Sequence, residues 1–179
     1  QKGVIQGLQG SYANAKTSLQ VVTRQYPNSR FADDAAFEMA QLEFEQGHYE
    51  AAIAGFSSLV RSKPQSEFVP YALMRAAIAY TNLQQYEQAQ ENYRALLEGY
   101  ITHELAGGAI SGMQQVLTQL GRNDEFDHFL SQYKMANPDD ESLSSIEYEA
   151  AKNLYFNQRY EKAIPSFQDY IRQYPNTAS

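Results

Sequence analysis

Three histidines are the residues of this chain best able to hold a metal ion or to move a proton near neutral pH. His48, His103 and His128 stand far apart, and none belongs to an HExxH pair or to a cluster of carboxylates at metal-ligand spacing. Asp124 precedes His128 by four residues, which on a helix makes an ordinary surface pair. We therefore expect solvated histidines and no metal site.

Motifs for phosphate, dinucleotide or acyl chemistry are missing from the sequence, which has no phosphate loop, no dinucleotide fingerprint and no GxSxG elbow. Gly107, Gly108 and Gly112 fall in a helical pattern, without the preceding strand that such loops need. The acidic pairs at 33–34 and 139–140 favour helix N-termini, where negative charge meets the positive end of the helix dipole. The sequence predicts a protein that is not an enzyme and binds no cofactor.

The composition narrows the class of protein further. With 179 residues, 43% of them apolar, the chain can form one domain with a packed core. The net charge of -7 and only 14 dispersed Lys and Arg residues argue against a nucleic-acid partner, which needs clustered cations. No apolar run is long enough to cross a membrane, and the first ten residues, QKGVIQGLQG, lack the apolar centre of a signal peptide. The sequence contains no cysteine, which excludes disulfides but does not tell whether the protein lies in an oxidising or a reducing compartment.

The sequence repeats itself every 37 residues. The segments QGSYANAKTSLQVVTRQYPNS, QGHYEAAIAGFSSLVRSKPQS and NQRYEKAIPSFQDYIRQYPNT align without gaps, and each places a Tyr fifteen residues before a Pro. These anchors are Tyr12, Tyr49 and Tyr160, and Tyr86 and Asn123 occupy the two register positions in between. The register predicts one array of five copies at approximately 1–29, 30–66, 67–103, 104–140 and 141–179.

Each copy reads as two helices. After the anchor, apolar residues recur at helical spacing, as at Tyr49, Ala52, Ile53, Phe56, Leu59 and Val60. A second helical segment precedes the anchor by only a few residues, so the two helices should be antiparallel neighbours. We expect the glycines at 107, 108 and 112 to shorten one first helix or make it irregular, and Pro165 to kink the last helix. The first copy holds only part of a first helix, and the chain ends after a second helix, which indicates a fragment of a longer array.

The pattern of small Ala, anchor Tyr, bulky residue at Phe56, Tyr93 or Phe167 and terminal Pro resembles the tetratricopeptide repeat. The YPNS, KPQS and YPNT tails of the aligned segments and the 37-residue period also resemble repeats of bacterial envelope proteins, such as outer-membrane assembly lipoproteins and periplasmic cell-division coordinators. The resemblance implies an all-α, right-handed superhelix of antiparallel helix pairs. It also implies a concave face lined by the first helices, a non-catalytic scaffold role, and a place in the periplasm or cell envelope.

The resemblance further implies which residues line the concave face, through their offsets of 15, 12, 11, 8 and 5 residues before each anchor. These positions hold Asp34, Phe37, Glu38, Gln41 and Phe44; Tyr71, Met74, Arg75, Ile78 and Thr81; Gly108, Ser111, Gly112, Gln115 and Thr118; and Ser145, Tyr148, Glu149, Lys152 and Tyr155. Such an aromatic and apolar face suits a peptide or helix of a protein partner. Tetratricopeptide proteins that clamp a C-terminal carboxylate use Lys and Asn at these offsets, and Lys152 alone does not make such a clamp.

Three alternatives compete with this binding surface. The aromatic and apolar members, such as Phe37 and Tyr148, could simply pack between helices. The array could self-associate through its unsealed end helices, giving a homo-oligomer. Finally, the 14 Tyr residues could bind an envelope glycan or peptidoglycan, although most occupy core positions of the repeat.

Overall fold

A computed structural model describes residues 2–27 and 29–175, and this part of the chain contains nine α-helices, one short 3-10 helix and no strand. The helices are α1 (Lys2–Gln25), α2 (Arg30–Glu45), α3 (Tyr49–Ser62), α4 (Val69–Asn82), α5 (Tyr86–Gly99), α6 (Ala106–Gln119), the 3-10 helix Asn123–Glu125, α7 (Phe126–Ala136), α8 (Leu143–Phe156) and α9 (Tyr160–Gln173). This confirms the predicted all-α class. The chain forms two compact units, which divide between Ala95 and Leu96, inside α5.

The turn between the helices of a pair has the same geometry at four register positions. Gly47, Gln84, Gly121 and Gln158 all have a positive φ, between 58° and 78°, and they lie 37 residues apart. At the first of these turns the N–H of Gly47 donates to the Phe44 carbonyl at 2.9 Å, which closes the end of α2. Because only three residues separate the two helices, they run antiparallel and pack together.

In each unit, a residue directly after a second helix makes a side-chain hydrogen bond to the preceding copy. In the first unit, Nζ of Lys63 donates to the Pro27 carbonyl at 3.1 Å. In the second unit, Nδ2 of Asn137 donates to the Ile101 carbonyl at 2.9 Å. Both bonds span 36 residues and fall at the same place in the repeat. The loop after each of these helices is therefore fixed to the loop one copy earlier.

The core of the first unit is centred on Phe56, which is completely buried. Ala40, Ala52, Leu59, Ala72 and Ala76 surround it, so α2, α3 and α4 all contribute. Glycine at position 55 lets α3 approach α2 closely, because a Cβ added to Gly55 would stand only 2.7 Å from the Ala40 Cβ. The small Ala of the repeat pattern, at Ala52, Ala89 and Ala163, is completely buried in all three copies.

In the fourth copy, the second helix is the short and irregular one, and not the first helix as predicted. α6 has 14 residues, as many as α4 and α8, so the expected shortening by glycine is wrong. Gly107 leaves space for α7, since a Cβ there would stand 3.1 Å from the Tyr133 hydroxyl. The irregular part follows at Asn123, which replaces the anchor Tyr and starts a 3-10 turn before an α7 of only 11 residues.

Two further expectations concern α1 and α9. The turn that precedes the anchor in the other copies does not form before Tyr12, and α1 is one continuous helix. Gly10, at the register position of Gly47, is helical, and no atom outside its own helical backbone lies within 4 Å of where its Cβ would stand. No packing there forces the chain out of the helix. α9 also continues through Pro165, although the missing N–H removes one main-chain bond.

Replacing Gln84 by glycine should stabilise the protein. A side chain in the left-handed region costs about 1 kcal/mol relative to glycine, so Gln84→Gly should raise the free energy of unfolding by about 0.5–1 kcal/mol. Gly121→Ala should lower it by a similar amount. Urea unfolding followed by circular dichroism measures both changes. Gln88→Gly, inside α5, is the matched control and should be destabilising; a destabilising Gln84→Gly would contradict this account of the turn.

Candidate functional site

The residues predicted to line a binding face are all accessible in the structure. Asp34, Glu38, Gly108, Ser111, Gln115, Ser145, Tyr148 and Tyr155 are exposed, and the other members of the predicted set are partly exposed. Their sequence neighbours Ala35, Ala72 and Leu73 are instead buried in the core. Offsets from the anchor therefore separate the accessible side of each first helix from its packed side.

In the first unit, α2 and α4 lie side by side and join their predicted residues into one surface, here named the α2–α4 face. It consists of Asp34, Phe37, Glu38, Gln41, Phe44, Tyr71, Met74, Arg75, Ile78 and Thr81. The rings of Phe37 and Tyr71 are 6.3 Å apart, and the Arg75 guanidinium lies over the Phe44 ring at 5.5 Å. Two helices from consecutive copies thus contribute to one accessible surface.

Phe37 has a structural role within this face. Its ring stacks on that of Phe68 at 5.4 Å and lies 5.5 Å from that of Phe56, in the core. The alternative that some predicted residues pack between helices therefore holds for Phe37. Met74 and Ile78 on α4 are half-buried and offer apolar surface on the accessible side.

Carboxylates accumulate on the α2 side of the face. Burial raises the pKa of Glu38, and the negative charges of Asp34 and Glu45 raise it further. Gln41 lies beside them, and its Nε2 donates to Oε1 of Glu45 at 3.0 Å. A cation arriving here would relieve the repulsion among these carboxylates. The face can therefore accept a positively charged group next to apolar side chains.

The predicted residues of the second unit lie on α6 and α8. Ser111 donates its hydroxyl to the Gly107 carbonyl at 3.1 Å, within its own helix. Nζ of Lys152 donates to Oε1 of Glu149 at 2.5 Å and lies 5.6 Å from the centre of the Tyr148 ring. Since Lys152 is already paired, the structure gives no support to a carboxylate clamp at this position.

A polar cleft of about 560 Å³ opens beside Ser111 in the second unit. It exists because Gly108 and Ser111 stand where the third copy has Tyr71 and Met74. At its edge the Asp140 carboxylate accepts hydrogen bonds from the Tyr133 hydroxyl and, at 2.9 Å, from the Ser142 N–H. Both bonds lower the pKa of Asp140, and the bond from Tyr133 has the larger effect. The cleft was not predicted from the sequence, although the glycines at 107, 108 and 112 were a signal.

A second unpredicted cavity, of about 550 Å³, lies in the first unit between α1, α2 and α3. Small residues of α3 line it, at Ala51, Ala54, Gly55 and Ser58. The equivalent space between α7, α8 and α9 is only about 250 Å³ and contains the Lys134–Glu147 ion pair. The run of small residues in α3 was the signal for this cavity.

The structure also places the histidines. Nδ1 of His48 lies 2.9 Å from Oε2 of Glu43. Asp124 pairs with Arg159 at 2.7 Å and with Lys162 at 2.9 Å, so the expected pairing with His128 is wrong. Within residues 2–27 and 29–175, no three His, Asp or Glu side chains form a group suited to a metal ion.

None of the described helices is both long and apolar enough to cross a membrane.

Comparison with known families identifies the chain. The sequence profile of the outer membrane lipoprotein family YfiO matches residues 2–133, which is more than two thirds of the chain. The chain belongs to this outer membrane lipoprotein family. A tetratricopeptide repeat profile matches residues 147–177, in the fifth copy. The predicted resemblance to tetratricopeptide repeats of the envelope type is thereby confirmed.

Solved structures show the same fold at low sequence identity. A tetratricopeptide repeat protein from Parabacteroides merdae is 18% identical with a TM-score of 0.66, over 98% of this chain and 65% of that protein. The chain thus spans just under two thirds of that relative. A structure of MamA is 12% identical with a TM-score of 0.66, over 99% of this chain and 97% of MamA. No curated protein sequence matches the chain significantly.

Neutralising Glu38 should stabilise the free protein at neutral pH. Its pKa is raised in the folded state, so ionisation of Glu38 disfavours folding. The free energy of unfolding therefore falls as the pH rises above the ordinary pKa of 4.5. Glu38→Gln should therefore raise the melting temperature at pH 7 and have little effect near pH 3. Thermal unfolding across this pH range measures the difference. Glu141→Gln, at an exposed loop position, is the matched control; an equal gain there would contradict the explanation.

Proposed function

We propose that this protein is a non-catalytic scaffold that binds a peptide or helix of a partner protein on the α2–α4 face. The observation that carries the proposal is the direct contact between the two first helices, with Arg75 over the Phe44 ring and Phe37 beside Tyr71. This contact gives a partner one surface across two copies. Tetratricopeptide folds generally serve protein binding, and the fold of this chain is consistent with that role.

The chemistry of the face indicates the chemistry of its partner. Asp34, Glu38 and Glu45 favour Lys or Arg, since a cation offsets the repulsion that adds to burial in raising the pKa of Glu38. Met74 and Ile78 favour an aliphatic or aromatic anchor. We infer a partner segment that combines basic residues with bulky apolar ones. Apolar contact supplies affinity, and charge supplies selectivity and a faster association rate.

The cell envelope is the proposed place of action. Membership of an outer membrane lipoprotein family supports it, since the profile of that family covers most of the chain. The partner would then be another protein of the periplasm or the outer membrane. Fractionation of cells producing the full-length protein tests this placement, and recovery of the protein in the cytoplasmic fraction would contradict it.

Reversing charge on α2 should weaken partner binding without loss of the fold. Peptides selected from a random phage-displayed library against the wild-type chain should carry Lys or Arg beside a bulky apolar residue. Their binding to the double variant Asp34→Lys, Glu38→Lys should fall by about tenfold or more, because attraction becomes repulsion. Binding to the wild-type chain should also weaken in high salt. Calorimetry with the selected peptides measures both effects.

The matched control is the double variant Asp139→Lys, Glu141→Lys, which makes the same charge change at exposed positions of the second unit. It should bind the selected peptides as the wild type does. Circular dichroism should show unchanged helix content in both variants. Selected peptides that bind the two variants equally well would overturn the assignment to the α2–α4 face.

A further inference from the structure

The fourth copy departs from the repeat pattern at four positions that meet between its two helices and the helix that follows. The second copy has Ala40, Tyr49, Ala52 and Ile53 at these positions, and the fifth has Ala151, Tyr160, Ala163 and Ile164. The fourth copy instead has Gln114, Asn123, Phe126 and Asp127. Two amides and a carboxylate therefore replace apolar or aromatic side chains at one place in the fold.

Gln114 is a buried polar residue on α6. Only 8% of its surface is exposed, and the equivalent Ala40, Ala77 and Ala151 are 3%, 0% and 0% exposed. Its Nε2 is enclosed and has no hydrogen-bond partner among the residues that the structure describes. A buried N–H gives up its bonds to solvent, so its burial is unfavourable unless an acceptor replaces them. Gln114 therefore needs an acceptor that the surrounding side chains do not supply directly.

A cavity of about 10 Å³ beside Gln114 gives the position of that acceptor. The 3-10 helix and helices α6, α7 and α8 contribute to its wall, which consists of Gln114, Thr118, Asn123, Phe126, Asp127, Ala150, Asn153 and Leu154. A buried water molecule needs about 10–15 Å³ of such space and roughly two to four polar partners. The cavity therefore fits one water molecule and no larger ligand.

The polar groups around the cavity match the hydrogen bonding of water. The Thr118 hydroxyl donates to the Gln114 carbonyl at 2.8 Å, so it is directed into its own helix. Asp127 on α7 and Asn153 on α8 carry oxygen atoms that can accept hydrogen bonds. Part of Asp127 reaches solvent, and burial of the rest raises its pKa. A metal or ammonium cation does not suit the site, because the Gln114 N–H is a donor and needs an acceptor.

We propose that this cavity binds one ordered water molecule, which joins α6 to α7 and α8. Its oxygen accepts a hydrogen bond from Nε2 of Gln114, and its two O–H groups donate to side-chain oxygens of Asp127 and Asn153. Water-mediated bonds of this kind are nearly as favourable as direct ones. The water thus replaces the alanine contacts that hold the second copy together around Phe56. The site lies wholly in the second unit and is independent of the α2–α4 face.

Nuclear magnetic resonance of the whole 179-residue chain tests for the water directly. The side-chain amide protons of Gln114 and Asn153 should show a water cross-peak with the sign of a long-lived, bound water molecule. The side-chain amide of Gln115, the exposed neighbour, is the matched control and should show only freely exchanging solvent. A crystal structure should place a water oxygen about 2.7–3.2 Å from Nε2 of Gln114. No bound-water signal at Gln114, or a direct bond from its Nε2 to a protein oxygen, would overturn the proposal.

Removing the donor should release the water. Gln114→Met and Gln114→Leu fill the position without an N–H, so the bound-water signal at the Asn153 side-chain amide should be lost in both, because too few polar partners remain. Gln115→Met is the matched control and should keep that signal. Circular dichroism should show unchanged helix content in each variant. A signal at Asn153 that survives both Gln114 substitutions would contradict the role given to Gln114 in holding the water.

Discussion

A helix pair in this fold buries its apolar side only where a further helix lies across it. Phe56 is completely buried because α2, α3 and α4 close around it, whereas Phe167, at the same place in the fifth copy, stays partly exposed. Full burial of one such side chain contributes about 1.5–3 kcal/mol. The core of each unit is therefore a chain of local contacts, and the exposure of any residue depends on its neighbour as much as on its own type.

This dependence explains what could be predicted from the sequence. The register followed from Tyr and Pro, because both occur at turns and helix ends that every copy must form. The left-handed residues at Gln84 and Gln158 could not be recognised, since glutamine rarely adopts that conformation and tertiary contacts impose it. In α6, each glycine costs about 1 kcal/mol, but complete burial of Ile110, Met113 and Leu117 contributes more, so the helix keeps its full length.

The candidate site was predictable in position and only partly in role. The offsets implied by the tetratricopeptide resemblance selected the accessible side of α2, α4, α6 and α8. They could not distinguish Phe37, which is stacked into the core, from Tyr148, which occupies the same offset and is 43% exposed. The cavity between α1, α2 and α3 was also missed, because small residues in a helix predict close packing as readily as open space.

The distribution of charge around α2 supports a binding role for one of its sides. On the side toward α1 and α3, carboxylates have cations: Glu43 pairs with Lys16, which lowers its pKa, and Asp33 lies 3.7 Å from Lys63. On the accessible side, burial raises the pKa of Glu38, and the like charges of Asp34 and Glu45 raise it further. The same helix thus neutralises its acids where they meet other helices and concentrates them where they meet solvent. Repulsion of this kind lowers the stability of the free protein, and a bound cation would remove it.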